Sequence, residues 1–197
     1  ASASVYAQWC VMRLAKEHNV RVLLDGQGAD EYLAGYDNLK YFAIWELYRK
    51  GKFLRFNQEL QYFKRNFGAG KSVGYKFLYD PLLHLIGKPR KIYDIGYTLR
   101  ERLKYAVEQE LPELLRYADR NSMAHSVEVR LPFLSQQLVE YVFSLPPELI
   151  YQMGNTKFVL REATKKILPP AIYSRTDKIG FAPPEKQWIK SDDFKAA

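Results

Sequence analysis

Cysteine is nearly absent: Cys10 is the only one among 197 residues. With no second thiol, the chain can form neither an intrachain disulfide nor a cysteine-based metal cluster. On the helix expected around it, Cys10 reads as a small buried hydrophobe. Histidine is scarce too, and His18, His84 and His125 are too scattered in sequence to suggest a metal site. Long apolar runs are missing, so no membrane span is expected. The opening ASASVYAQWC has no basic segment leading into an apolar core, so it does not read as a secretory signal. A reducing, cytoplasmic compartment is the expectation. Internal repeats, low-complexity tracts and a long basic tail are also missing. The net charge of +8 attracts phosphate-rich partners such as nucleotides. Its small clusters, Arg49-Lys50-Lys52, Lys88-Arg90-Lys91 and Lys165-Lys166, equally suit solvated helix faces. No nucleic-acid-binding motif accompanies the charge, so no nucleic-acid partner is expected.

Hydrophobic residues make up 47% of the chain, enough for one sizeable core, and one domain with at most a small lobe is expected. Residues 4–18 read as a helix with Ser4 as its cap and Val5, Trp9 and Met12 in one apolar stripe. Asn19 ends it. Val20–Leu24 has the continuous apolar pattern of a buried parallel strand, and helix, strand, Gly loop and helix in succession are an α/β signature. Residues 38–50 and 53–67 are predicted amphipathic helices, 72–87 a third, and 86–96 an internal linker. Residues 97–118 are predicted helical, with Pro112 starting a second piece. A helix carrying Leu138, Val142 and Leu145 stops at Pro146-Pro147, and a last one spans 156–167. The fold class expected is therefore α/β, with this chain a mainly α-helical portion carrying one short parallel strand near residues 20–24.

Three stretches carry candidate chemistry. In VRVLLDGQGADEYLAGY (20–36), the segment DGQGADE falls at the carboxyl end of the predicted strand, where open α/β sheets place ligands. Gly26 and Gly28 would let backbone N–H groups approach an anion, and Asp30 and Glu31 would take a substrate ammonium or a magnesium–phosphate. A Gly-rich turn with two acids favouring a helix start fits the same residues. In RYADRNSMAHSVEVRLPFL (116–134), Asp119-Arg120 and Glu128-Val129-Arg130 set carboxylates beside guanidiniums, an arrangement that serves scaffolding or phosphate positioning. In SRTDKIGFAPP (174–184), Arg175 and Lys178 sit on a polar loop with Phe181 as its anchor, and a loop lysine can close over a polyphosphate.

Together and in this order, the three stretches resemble the synthetase domain of asparagine synthetases (glutamine-hydrolysing), over essentially the whole chain. VLLDGQGADEYLAGY resembles that family's S-G-E-G-A-D-E…GY. ADRNSMAHSVEVRLPFL resembles its D-R…M-A-S…E-V-R-x-P-F-L-D, and TKFVLREATKKILPPAIYSRTDKIGFAPP its T-K-x-x-L-R…R-x-K-x-G-F. The resemblance implies an ATP pyrophosphatase-type ligase that converts the aspartate side-chain carboxylate to β-aspartyl-AMP, with magnesium, and lets ammonia displace AMP. It further implies that Asp25 and Gly26, with Gly28, contact ATP and that Gln27 and Lys178 hold the catalytic positions. Asp30 and Glu31 would then hold aspartate or magnesium–phosphate, and Asp119, Arg120 and Arg130 are added as candidates for the same group.

The pattern also has departures. Asp25 stands where the family has Ser, Gln27 where it has the Glu tied to adenylate formation, and Ser135 where it has Asp after P-F-L. Ser135 alters helix capping more than chemistry. The family's phosphate loop, S-G-G-x-D-S, does not occur in these residues, nor does an amino-terminal glutaminase domain with its cysteine nucleophile. Residues 1–197 are accordingly read as the carboxyl-terminal portion of a longer synthetase, unable to make asparagine alone. Ammonia would come from glutamine through an upstream glutaminase domain, and a homodimer stays open. The alternatives are a related adenylating ligase, β-lactam synthetase-like or peptide-cyclising, and a non-catalytic helical interaction remnant.

Overall fold

The computed structural model describes residues 3–67, 98–175 and 183–184. In chain order these form α1 (Ala3–Glu17), β1 (Val22–Leu24), α2 (Ala29–Tyr32), α3 (Leu39–Arg49), α4 (Phe53–Phe67) and α5 (Leu99–Tyr105). A π-helical turn (Ala106–Glu110) then leads into α6 (Leu111–Met123) and β2 (Glu128–Arg130), followed by a 3-10 turn at Pro132–Leu134. The rest comprises α7 (Gln136–Ser144), α8 (Pro147–Ile150), α9 (Phe158–Thr164) and α10 (Pro170–Tyr173). The described residues are mainly helical with a short parallel sheet, as expected. The predicted helix at 72–87 and the linker at 86–96 lie outside them.

The chain divides into two compact units. The first comprises Ala1–Gly26, Pro112–Pro132 and Asp177–Ala197. Within it β1 pairs in parallel with β2, with Val22 opposite Glu128, Leu23 opposite Val129 and Leu24 opposite Arg130. Strand alternation turns Leu23 and Val129 onto a small core of Met12, Ala15 and Val127. Val22 and Leu24 occupy the other face and are 41% and 75% exposed. The predicted strand is therefore present and parallel, but among the described residues only one of its faces is covered. β2 was not anticipated, because a three-residue Glu-Val-Arg strand leaves too short a pattern to register. Asn19 ends α1 in the left-handed region (φ 58°), and the Val20 N–H reaches back to the Ala15 carbonyl, the usual role of Asn just past a helix. Ser4 lies within α1 instead of capping it. Asn121 on α6 donates to the Val5 carbonyl and to Gln8 Oε1, and His125 sits edge-on to Trp9, which ties α6 and the turn after it to α1.

The π turn has a cause in the sequence. Pro112 carries no N–H and its ring crowds the carbonyl four residues back. The Leu111 N–H instead bonds Ala106 O, five residues back, and helix α6 proceeds from there.

The second unit comprises Gln27–Leu111 and Phe133–Thr176, around a core in which Tyr32, Leu39, Ile44, Leu99 and Leu103 are fully buried. Each such side chain contributes roughly 1.5–3 kcal/mol by leaving water. Helices α3 and α4 match their predicted spans, and α7 opens on Ser135, whose side chain accepts the Leu138 N–H. The start of α5 is doubly held. Thr98 and Glu101 form a reciprocal capping box, and the buried Glu46 accepts the Leu99 N–H at 3.0 Å. Glu59 on α4 accepts the N–H groups of Met153 (2.8 Å) and Gly154 (2.9 Å), both left-handed, at the tip of the Gln152–Asn155 hairpin. The predicted helix at 156–167 is shorter, because Lys157 adopts φ 54°, which no helical residue can, and α10 starts afresh at Pro170.

Candidate functional site

The segment DGQGADE follows β1 directly. The Asp25 N–H is still part of the sheet, donating to the Arg130 carbonyl at 2.9 Å, so what Asp25 offers a ligand is its side chain. At Gly26 an added Cβ would meet nothing, and the residue is exposed. The chain passes from the first unit to the second between Gly26 and Gln27. Gly28 turns the chain into α2 with φ 96°, and a Cβ there would overlap the Leu134 side chain. Its lack of a side chain is thus required twice over, by backbone conformation and by packing.

Helix α2 is a single turn that places its two acids differently. Glu31 is 1% exposed: Oε1 accepts the Tyr36 hydroxyl at 2.5 Å, and Oε2 has no hydrogen-bond partner among the described residues. Asp30 instead turns to Lys157, whose Nζ lies 2.6 Å from Oδ1. The helix closes with Ala34 left-handed (φ 56°) and the Gly35 N–H on the Asp30 carbonyl, a Schellman-type end. A Cβ on Gly35 would collide with the Asp30 carboxylate and with Lys157 Cε, so the ion pair packs directly over this glycine. Burial, with the Glu31 carboxylate beside it, pushes the Tyr32 phenol up to about 12. Tyr36 is raised further, by burial first, then by its bond to Glu31 and the nearby negative charges of Asp30 and Glu110.

Two distant stretches meet this loop within the second unit. The Tyr32 hydroxyl donates to the Phe133 carbonyl at 2.7 Å, and Leu134 fills the space beside Gly28. The Lys157 N–H donates to the Leu33 carbonyl at 3.0 Å while its side chain pairs with Asp30. Parts of the three family-like segments are therefore in contact within the second unit: Gly28–Gly35 of the first, Phe133-Leu134 of the second, and Lys157 of TKFVLREATKKILPPAIYSRTDKIGFAPP.

A family model described as asparagine synthase matches residues 1–197. The chain belongs to the asparagine synthase family. It is similar to asparagine synthetase [glutamine-hydrolyzing] 1 of Bacillus subtilis, 29% identical over 92% of this chain and 33% of that protein. It is also similar to a putative asparagine synthetase [glutamine-hydrolyzing] of Mycobacterium tuberculosis, 26% identical over 93% of this chain and 33% of that one. Asparagine synthetase [glutamine-hydrolyzing] of Gallus gallus is 38% identical over a shorter stretch, 42% of this chain and 16% of the relative. The chain thus spans about a third of the length of the first two relatives. No solved structure matches it.

Of the residues nominated by the asparagine synthase resemblance, Asp25, Gly26, Asp119, Arg120 and Arg130 belong to the first unit. Gln27, Gly28, Asp30 and Glu31 belong to the second. Asp119 and Arg120 are exposed on α6, and neither side chain forms an ion pair among the described residues. Arg130 pairs with Glu128, Nε to Oε1 at 2.7 Å, with both side chains more than half exposed. That pair is a solvated surface contact. Gln27 is half-buried, and its carboxamide has no partner among the described residues. Lys178 and Phe181 lie outside the described residues. Sequence reasoning missed Lys157 and Tyr36. The Thr-Lys pair was visible as part of a motif, but its partner Asp30 is set by tertiary contact alone. A cavity of about 550 Å³ also occurs in the second unit, lined by Glu46, Arg55, Glu59, Tyr62 and Tyr151 among others, and none of the nominated residues lines it.

Proposed function

We propose that, within a longer protein, this chain supplies the carboxyl-terminal part of an ATP-dependent carbon–nitrogen ligase that makes asparagine through β-aspartyl-AMP. One observation supports the reading above all: parts of the other two family stretches, far apart in sequence, converge on the loop Gln27–Gly35. Convergence of separate segments on one strand-end loop is how open α/β folds assemble a ligand site.

In the proposed reaction the aspartate side-chain carboxylate attacks the α-phosphate of ATP. The bond to pyrophosphate breaks, and ammonia then displaces AMP to leave the amide. Gly26, bare of side chain and open around its Cα, lets the nucleotide come close to the backbone. Glu31 keeps one buried carboxylate oxygen without a hydrogen-bond partner among the described residues, a position suited to a positively charged substrate group such as an ammonium. Gln27 cannot accept a proton as a glutamate would, so it serves as a hydrogen-bonding group beside the carboxylate or phosphate. Lys178 is proposed to offset charge on the departing pyrophosphate. Magnesium is proposed to arrive with the phosphates, whose charge it neutralises. Ammonia would come from glutamine by way of a glutaminase domain elsewhere in the longer protein.

The test is product analysis on the protein in its longest natural form. ATP, aspartate and ammonia should yield AMP, pyrophosphate and asparagine in equal amounts, and residues 1–197 alone should yield none. Absence of AMP and pyrophosphate from the long form overturns the reading. Gln27 favours a second reading, a related adenylating ligase acting on another carboxylate. AMP and pyrophosphate formed with a different acid, and not with aspartate, would decide for it.

A further inference from the structure

The two adjacent acids of the loop are equivalent in sequence and unlike in the structure. Asp30 is already neutralised, with its carboxylate 2.6 Å from Lys157 Nζ and both side chains about 70% buried. Glu31 retains a buried oxygen with no hydrogen-bond partner among the described residues. Lys157 holds the loop twice, through its side chain at Asp30 and through its N–H at the Leu33 carbonyl. It does so from a left-handed backbone conformation, which costs a non-glycine residue roughly 1 kcal/mol or more and persists only where the surroundings enforce it. The residues after it are fixed in turn. Arg161 on α9 donates from Nε to the Thr156 carbonyl (3.0 Å) and from Nη1 to the Tyr173 carbonyl (2.9 Å). The absence of a side chain at Gly35 leaves the space in which Asp30 and Lys157 meet.

We infer that Lys157 is a positioning residue for the ligase reaction: by clamping Asp30 and Leu33 it fixes the loop that presents Gln27 and Glu31. The clamp spans the motifs A-D-E and T-K, and Arg161, from the same T-K-x-x-L-R segment, carries its support to α10. This inference rests on the proposed function for its catalytic consequence, but not for the clamp itself.

The experiment uses the protein in its longest natural form with Lys157→Gln, Lys157→Met, Asp30→Asn and the Lys157→Met/Asp30→Asn double variant. Steady-state pyrophosphate release should show kcat reduced at least tenfold in each single variant, while KM for the carboxylic acid and the magnesium requirement change less than threefold. The double variant should be no slower than the worse single one, because both remove the same clamp. Hydrogen exchange gives a second readout independent of activity: the Gly35 and Lys157 amides should exchange at least tenfold faster in Lys157→Gln than in the unmodified protein. Circular dichroism identifies any variant that fails to fold, and Lys157→Gln, the milder change, then stands for Lys157→Met. If Asp30→Asn raises KM or the magnesium requirement tenfold while Lys157→Gln leaves kcat intact, Asp30 is a ligand and the inference is wrong. Unchanged exchange at Gly35 also overturns it. A protein that releases no pyrophosphate at all, but whose Gly35 amide responds to Lys157→Gln, refutes the ligase reading and retains the clamp.

Discussion

The glycines of the loop show how far a single residue can be interpreted without its neighbours. By sequence, Gly26 and Gly28 made room for an anion. Gly26 keeps that open space, whereas Gly28 and Gly35 are occupied by the protein itself, by Leu134 and by the Asp30–Lys157 pair. Nothing in the local sequence distinguishes a glycine that admits a ligand from one that admits a distant side chain. The difference is testable. Gly35→Ala should force the ion pair apart and lower stability by about 1–3 kcal/mol, the usual cost of overpacking, read as a lower urea midpoint at unchanged slope. An unchanged midpoint would show that the pair does not pack over Gly35. Tyr36 gives a second case. Its hydroxyl is the one hydrogen-bond donor to the buried Glu31 carboxylate among the described residues. Tyr36→Phe should therefore cost about 1–3 kcal/mol by stranding both oxygens, and adding Glu31→Leu should recover part of the loss by removing the stranded group. Denaturant unfolding of the two variants measures this, and a Tyr36→Phe protein as stable as the parent would show that the bond contributes nothing.

Among the elements, what the sequence made legible was periodicity and local punctuation. The spans of α3, α4 and α7 could be read from apolar spacing, and Pro112 marked the junction where the π turn hands over to α6. The T-L-R-E pattern at 98–101 is a local signal of the same kind, since both halves of the capping box lie within one turn. Carboxylates that cap from afar leave no such trace. Glu46 reaches the start of α5, and Glu59 accepts both N–H groups at the Met153-Gly154 tip. Met153 and Gly154 are both left-handed at the turn of the hairpin, which leaves their N–H groups without a partner in the ladder, and Glu59 accepts both from another helix. Glu59→Ala should leave two N–H groups without their acceptor and destabilise the second unit by about 1–3 kcal/mol. Glu59→Gln, which keeps one acceptor oxygen, should lose less. Thermal or urea unfolding ranks the three proteins, and an order in which the glutamine variant is the least stable would contradict this role of Glu59.

At the scale of the whole molecule, the family was legible because several ordered motifs outweigh any single one, while the site they build was not. The sequence shows which residue types are present, but their sorting into two units, and the meeting of Gly28 with Leu134 and of Asp30 with Lys157, depends on contacts between segments far apart in the chain. The exposed face of β1 at Val22 and Leu24 belongs to the same lesson, since an apolar run announces a strand but not how many of its faces are covered. One collective property follows from burying tyrosines beside carboxylates. Tyr32, Tyr36 and Tyr151 all lie in the second unit, and burial, reinforced by neighbouring glutamates, raises all three phenols above their ordinary value of 10.0. In the unfolded chain these phenols lose their protons near pH 10, whereas the folded protein retains them to about 12 in the case of Tyr32 and beyond for the other two. Above pH 10 the unfolded state therefore binds fewer protons than the folded one, and linkage makes stability fall as pH rises. The contribution is fully present below pH 10 and is lost progressively as pH climbs to 12 and above. Urea unfolding at pH 8, 10 and 11 should show little change over the first interval from this source and a clear loss over the second. A Tyr32→Phe/Tyr36→Phe protein, less stable at pH 8, should lose less between pH 10 and 11, because two of the groups that drive the fall are gone. Parallel curves for the two proteins would mean that the alkaline loss arises elsewhere and that these phenols do not carry their protons above pH 10 in the folded state.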